Sequence, residues 1–286
     1  DLHKEYRRQR QMCIRDSNGR ILMARIWHPP KNTNPRAILV DVHGGAWCSG
    51  DRTAGRHYDE MLASRGFIVA AIDFRQGPKH RHPDASDDVA AAIQWAQNLC
   101  QDKLGTSDQV IAMGSSSGGH LALHAALRPQ TLRGEELCLH LRQKWVRQTR
   151  INRQPLGVAA FWAPVEPLAR YRYALSLESR LGRRLGNNTL RYFRTEAAMH
   201  DASICRTVTE TRPSRLLPIW IAKAGEDKNV PAEIIDQLAS TYTKAGGNIT
   251  ISTYPNSVHG FAHSVGDDTD LFVEDLVSWL HQITEE

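Results

Sequence analysis

Strand-like and helix-like segments alternate along most of this 286-residue chain, and that alternation restricts its fold more than any other feature. Residues 37–42 (Ala37-Ile38-Leu39-Val40-Asp41-Val42), 67–73 and 109–113 are short apolar runs rich in β-branched residues. Such runs read as strands buried on both faces, the pattern of a parallel sheet. Between them, residues 53–65 and 84–100 have apolar side chains at helical spacing; Val89, Ala92, Ile93 and Ala96 mark one face of the second. Gly66 stops the first helix, and Asp87 and Asp88 suit the dipole at the start of the second, where they read as capping acids. Further on, residues 119–127 read as helix, 156–162 and 217–224 as strands, 231–245 as helix, 249–254 as the last strand and 270–283 as a terminal amphipathic helix. Residues 21–27 add an early strand. This rhythm predicts right-handed βαβ units, hence an α/β fold with a mostly parallel central sheet flanked by helices. In such sheets, ligands bind at the carboxyl ends of the strands.

The length fits one domain over residues 18–286. Two stretches leave the βα rhythm. Residues 131–155 are charged and helix-prone; residues 165–215 are helical and arginine-rich, broken by Gly182, Gly186 and Asn187-Asn188, and stand where a cap over the site belongs. Residues 1–17 are polar with no period, and 11–17 read as foreign sequence; this segment is set apart, and a targeting segment ahead of it is left open.

Hydrophobic residues at 41% and charged residues at 23% indicate a globular chain rather than a disordered one. No run reaches the 18 or so apolar residues of a membrane span, so a soluble, cytoplasmic protein is expected. The net charge of +5 is local: residues 131–195 hold thirteen basic residues, twelve of them arginine, against four acids, and the remainder is net negative. A local basic belt is not by itself a nucleic-acid signature; this one reads as the solvated surface of an insert, with a site for an anionic partner as the alternative. Five cysteines, an odd number with no Cys-x-x-Cys pair, favour reduced thiols. His80 with His82, and His259 with His263, have no nearby carboxylates or cysteines to complete a shell, so no metal is expected.

Gly114-Ser115-Ser116-Ser117-Gly118 lies between the third apolar run and its helix. A Gly-x-Ser-x-Gly run between strand and helix is the context of a nucleophile elbow, with a serine at a sharp turn and helix amides pointing back at it. A nucleophilic serine needs a base, an acid to orient that base, and donors for the oxyanion. His259 follows the last strand and precedes the terminal helix; it is preferred as base to His263. Asp227, after the strand at 217–224, is preferred as acid to Glu226, although either could cap the helix behind Pro231. The chain order is then serine, acid, histidine. His43-Gly44-Gly45-Ala46-Trp47 follows the first buried strand, where paired glycines either let main-chain N–H groups approach a ligand or make a tight turn.

These four motifs together resemble the esterase and lipase branch of the α/β-hydrolases, near the hormone-sensitive-lipase-like and acetyl-esterase families, over roughly residues 21–283. The resemblance implies the α/β-hydrolase fold with a helical cap, a carboxylesterase-type serine hydrolase without cofactor, and an oxyanion hole from the amides of Gly44, Gly45 and Ser117. It implies a small ester as substrate, preferably with a short acyl chain, in a pocket expected to be lined by Trp47, Phe74, Trp162 and Phe261; a homodimer is compatible with it. There are departures: Ala46 stands where the family has a third glycine, and Asp73-Phe74-Arg75-Gln76-Gly77-Pro78-Lys79 replaces a common pocket-side run. The form His-Gly-Gly-x-Trp is also similar to arylformamidases, which keeps amide or formamide hydrolysis as an alternative. A non-catalytic, ligand-binding homologue is the third reading.

Overall fold

The computed structural model describes residues 9–15, 21–106, 108–128, 137–141, 144–148, 154–211, 213 and 215–285. In chain order the elements begin with β1 (Gln9–Arg15), β2 (Ile21–Trp27), β3 (Ile38–Val42), α1 (Arg56–Ser64), β4 (Ile68–Ile72), α2 (Asp84–Leu104), β5 (Val110–Ser115) and α3 (Ser117–Leu127). They continue with β6 (Leu137–Leu141), β7 (Lys144–Gln148), β8 (Gly157–Phe161), α4 (Pro167–Ser176), α5 (Arg180–Phe193), α6 (Glu196–Asp201) and α7 (Ile204–Arg206). After a π-helical turn at Thr207–Thr211 come β9 (Ile219–Ala224), α8 (Ala232–Lys244), β10 (Ile249–Tyr254), a 3₁₀ turn at Phe261–His263 and α9 (Asp267–Glu285).

One sheet runs in the order β10-β9-β8-β5-β3-β4-β2-β1-β6-β7. The six strands from β10 to β4 are mutually parallel, and β2, β1, β6 and β7 add an antiparallel wing. Side chains alternate across the parallel part, so each strand supplies two cores. Val40, Ala70, Ala112, Ala160 and Ile221 pack on one face under α2, α3 and α8. Leu39, Val69, Ile111, Ala159 and Trp220 pack on the other under α1 and α9. This two-sided cover explains why the strands read as continuous apolar runs.

Register aligns the strand ends. Val42 stands opposite Ile72 and Gly114, Ser115 opposite Phe161, and Phe161 opposite Ala222. The residues that follow, His43, Asp73, Ser116, Trp162 and Gly225, therefore leave the sheet along one rim.

Three expectations change. Within residues 131–155, read as helix-prone, 137–141 and 144–148 are strands, a hairpin whose β6 pairs with β1; the rest of that stretch up to residue 153 lies outside the described residues. Leu137, Leu139 and Leu141 alternate at a period of two, and pairing to a sheet edge outweighs the intrinsic preference of charged residues for helix. Of residues 1–17, set apart above, 9–15 form β1 and pair with β2 from Gln9↔Trp27 to Arg15↔Ile21; 1–8 and 16–17 lie outside the described residues.

The third change concerns the cap. Gly182, Gly186, Asn187 and Asn188 do not break the helix, because α5 runs through all four. The break lies at residues 177–179, where Ser179 caps α5 by accepting from the Gly182 amide at 3.1 Å. A Cβ at Gly182 would lie 2.4 Å from the Leu177 carbonyl oxygen and 2.5 Å from that of Ala174, so glycine here lets α5 start hard against the end of α4. Gly182, Leu185, Gly186, Thr189 and Phe193 face inward, while Arg180, Arg183, Arg184 and Arg191 face solvent. No helix among the described residues is long and apolar enough to cross a membrane.

Candidate active site

The turn between β5 and α3 is made by contacts only glycine permits. A Cβ at Gly118 would sit 1.9 Å from the Val42 carbonyl oxygen, and one at Gly114 would sit 2.6 Å from the same atom. This packing drives Ser116 to φ 50° and ψ −123°, a conformation that L-residues seldom adopt. The Ser116 amide donates to the Phe161 carbonyl at 2.8 Å, tying the turn to β8. Strain at this position lifts the Ser116 side chain above the sheet at the N-terminus of α3.

His259 Nε2 lies 2.9 Å from Ser116 Oγ, and His259 Nδ1 lies 2.8 Å from Asp227 Oδ2. Asp227 Oδ1 accepts the amides of Asn229 at 2.7 Å and Val230 at 3.0 Å, bonds that fix the carboxylate plane. An ionised carboxylate only accepts, so Nδ1 carries the ring proton and Nε2 is left to accept from the Ser116 hydroxyl. Residues 116, 227 and 259 thus form one hydrogen-bonded chain. His263 is not part of it: its Nδ1 donates to the Ala54 carbonyl at 3.0 Å, and burial lowers its pKa. Glu226 is also absent from this chain.

Opposite Ser116 the loop after β3 is tightly wound. His43 Nδ1 donates to the Gly44 carbonyl at 2.6 Å, and the Gly45 carbonyl accepts from the amides of Cys48 and Ser49, both at 3.1 Å. A trans peptide points its N–H opposite to its C=O, so holding these two carbonyls turns the N–H groups of Gly45 and Ala46 away from the loop's own bonds. No backbone carbonyl among the described residues accepts the N–H groups of Gly44, Gly45 or Ala46. Gly45 has φ 123°, and a Cβ there would meet the Ser49 carbonyl oxygen at 1.8 Å. Ala46 stands at φ 51°, where a third glycine would be the easier choice. Ser117 opens α3, and its N–H is one of the helix's unpaired first-turn donors. His43 is buried and stacked on Phe74 with ring centroids 4.2 Å apart, and that burial lowers its pKa.

A cavity of about 500 Å³ opens over Ser116. The loop residues Gly44, Gly45 and Ala46, the pair Trp162 and His259, and the cap residues Arg170, Arg184, Leu185 and Asn188 line it. Of the four residues expected to line the pocket, only Trp162 does, standing edge-on to His259 at 6.4 Å.

The other three support the wall from behind. Trp47 is fully buried; its indole N–H donates to His120 Nδ1 at 3.2 Å and its ring stacks on Tyr192, joining the loop after β3 to α3 and α5. Phe74 lies behind His43, and Phe261 packs behind Trp162 at 5.0 Å. Large aromatics beside a site gain more from core burial than from lining a polar cavity.

Asp88, read as a capping acid, instead takes the Arg75 guanidinium at 2.8 Å and the Arg75 amide at 2.8 Å; α2 has no side-chain cap. Arg170 was not singled out by the sequence, where it is one arginine among twelve, and only the docking of α4 against Asn229 and α5 distinguishes it. Among the described residues no cluster of three His, Cys, Asp or Glu side chains is arranged to hold a metal. Cys48, Cys100 and Cys205 are free thiols.

The BD-FAE family model matches residues 25–241. Esterase LipC of Mycobacterium tuberculosis is 36% identical over 128 residues, which is 44% of this chain and 31% of LipC. The probable isoprenylcysteine alpha-carbonyl methylesterase ICMEL1 of Arabidopsis thaliana is 23% identical over 254 residues, 87% of this chain and 49% of that protein. The chain therefore spans less than half the length of either of these two relatives. Among solved structures, the propionate-bound esterase Est2 of Thermogutta terrifontis superposes with a TM-score of 0.69 at 24% identity, covering 93% of this chain and 91% of that one. The fold is that of the α/β-hydrolase esterases.

Proposed function

The chain belongs to the BD-FAE family, and from the hydrogen-bonded run Ser116–His259–Asp227 beneath an open cavity we propose that it is a serine carboxylic ester hydrolase. That run is the observation that carries the reading. Ser116 Oγ attacks the ester carbonyl while His259 Nε2 takes its proton. The Nδ1–H bond to Asp227 stabilises the imidazolium that forms, and His259 then returns the proton to the leaving alcohol. Water repeats the sequence in reverse on the acyl-enzyme. The oxyanion is held by the N–H groups of Gly44, Gly45 and Ser117; the peptide orientation of the loop after β3 adds Ala46 to them.

We read the acyl group as short, in a cavity that Trp162 and the cap residues Arg170, Arg184, Leu185 and Asn188 help to line. The propionate of the Thermogutta neighbour is of that size. Ser116→Ala is expected to abolish ester turnover and fluorophosphonate labelling while leaving the melting temperature within a few degrees of wild type. Turnover persisting in that variant sinks the mechanism. Hydrolysis of p-nitrophenyl acetate should exceed that of a long-chain p-nitrophenyl ester; equal rates remove the short-chain limb.

A further inference from the structure

The wall of the cavity is unevenly charged. Arg170 and Arg184 line it, and no Asp or Glu side chain does. Most of the arginines for which the structure gives a strong contact face a carboxylate: Arg75 pairs with Asp88, Arg52 with Asp73, Arg172 with Glu196 and Arg206 with Glu210. Arg170 does not. It is 3% exposed, and its contacts are all neutral: the Trp47 ring at 5.8 Å, the Asn229 carbonyl with Nε at 3.4 Å, and the Leu185 carbonyl at 3.3 Å and Thr189 Oγ1 at 2.6 Å with Nη1. Those bonds use the Nε and Nη1 edges and tie α4 to α5. Nη2 has no hydrogen-bond partner among the described residues. Asp227 is near enough to be felt but is held by His259 and two amides.

Burying a guanidinium among neutral acceptors and one aromatic ring, with no carboxylate bound to it, is costly. The cost is visible in Arg170, whose pKa burial pulls down to about 10, Asp227 raising it and Arg184 lowering it further. Arg184 stands one helix away at the exposed rim of the same cavity, with no ion pair among the described residues. A strut joining two helices needs neither a second cation nor a free edge on the ligand side. An anion completes both.

Resting on the reading of this site as that of an ester hydrolase, we propose that its substrates are esters carrying a carboxylate, which Arg170 and Arg184 hold while the scissile carbonyl lies at Ser116. The carboxylate can belong to the acyl part, as in a half-ester of a dicarboxylic acid, or to the alcohol part, as in an acylated hydroxy acid.

The test is a pH-stat assay of kcat/KM on two matched pairs at low ionic strength. Monoethyl succinate against ethyl butyrate probes the acyl side, and 3-acetoxypropanoate against propyl acetate the alcohol side. One arm is expected to favour the anion by about tenfold or more, the worth of one charge-assisted hydrogen bond. That preference should fall about tenfold in Arg184→Glu and shrink as salt rises from about 20 mM to about 500 mM, because the rim arginine is screened. Succinate should inhibit competitively and succinamide should not. Arg170→Lys, which keeps the charge and loses the fork, should weaken the preference without unfolding the cap. An anion-to-neutral ratio at or below one in both arms overturns the inference, as does a ratio unmoved by Arg184→Glu. If no ester is turned over and fluorophosphonate does not label Ser116, the ester-hydrolase reading itself fails with it.

Discussion

Asp227→Asn separates the orienting role of this carboxylate from mere proximity. In the structure Oδ1 faces two amide donors, Asn229 and Val230, while Oδ2 faces His259 Nδ1. An asparagine can keep its carbonyl at the two donors and present its NH₂ to the ring. Nδ1 must then accept, the ring proton moves to Nε2, and Nε2 can no longer take the proton of Ser116 Oγ. The alternative flip points NH₂ at two N–H groups. Leaving those two donors unsatisfied costs about 2–6 kcal/mol, so the productive arrangement is populated in about one molecule in 30 to one in 3 × 10⁴. The imidazolium also loses its countercharge. Together these give a fall in kcat of about 10³- to 10⁴-fold at neutral pH. Asp227 does not line the cavity, so KM for p-nitrophenyl acetate should stay within a few-fold of wild type. Steady-state kinetics on material whose melting temperature matches wild type decide the matter. A kcat within tenfold of wild type would refute the reasoning, because the fixed amide orientation leaves no other way to present an acceptor to Ser116.

Two further substitutions probe how the fold supports the site. Gly118→Ala places a methyl group within 1.9 Å of the Val42 carbonyl oxygen and 2.5 Å of that of His43, both backbone atoms that cannot step aside. A loss above about 3 kcal/mol, or a fall in melting temperature of about 6 °C or more, is expected in thermal denaturation, and an unchanged transition would count against the packing described for the elbow. The buried acid Asp41, on β3 with the Tyr58 hydroxyl against its carboxylate, is raised by burial to about 7, and its neighbour Asp59 is also held above the usual range by burial and by Asp41. The folded state thus binds the Asp41 proton more tightly than the unfolded chain does. The stability this contributes is full below about pH 4 and is lost as pH rises through about 7. Asp41→Asn should flatten the decline of melting temperature between about pH 4 and about pH 7; parallel curves for the two proteins would exclude Asp41 as its source.

Local sequence determined a great deal. The β-branched runs could be buried only in a parallel sheet, so β3, β4, β5, β8 and β9 appear within about two residues of their expected bounds. The glycines around Ser116 were legible as a turn because only a residue without a Cβ tolerates the contacts found at Gly114 and Gly118. Ser116, Asp227 and His259 were nameable from position alone, since each immediately follows a strand or its loop and strand ends share a rim.

What periodicity could not decide depends on contacts between distant segments. The hairpin of β6 and β7 is a strand pair because a sheet edge accepts it. The cap glycines stay inside α5 because α4 presses against its start. Trp47, Phe74 and Phe261 turn away from the cavity because core partners lie behind them, and Arg170 enters its wall because Asn229, Leu185 and Thr189 happen to converge on it. The turn at Ser116 is written into short motifs that carry their own backbone geometry. The character of the pocket above it is set by side chains from several separate segments, whose directions only the packed tertiary structure fixes.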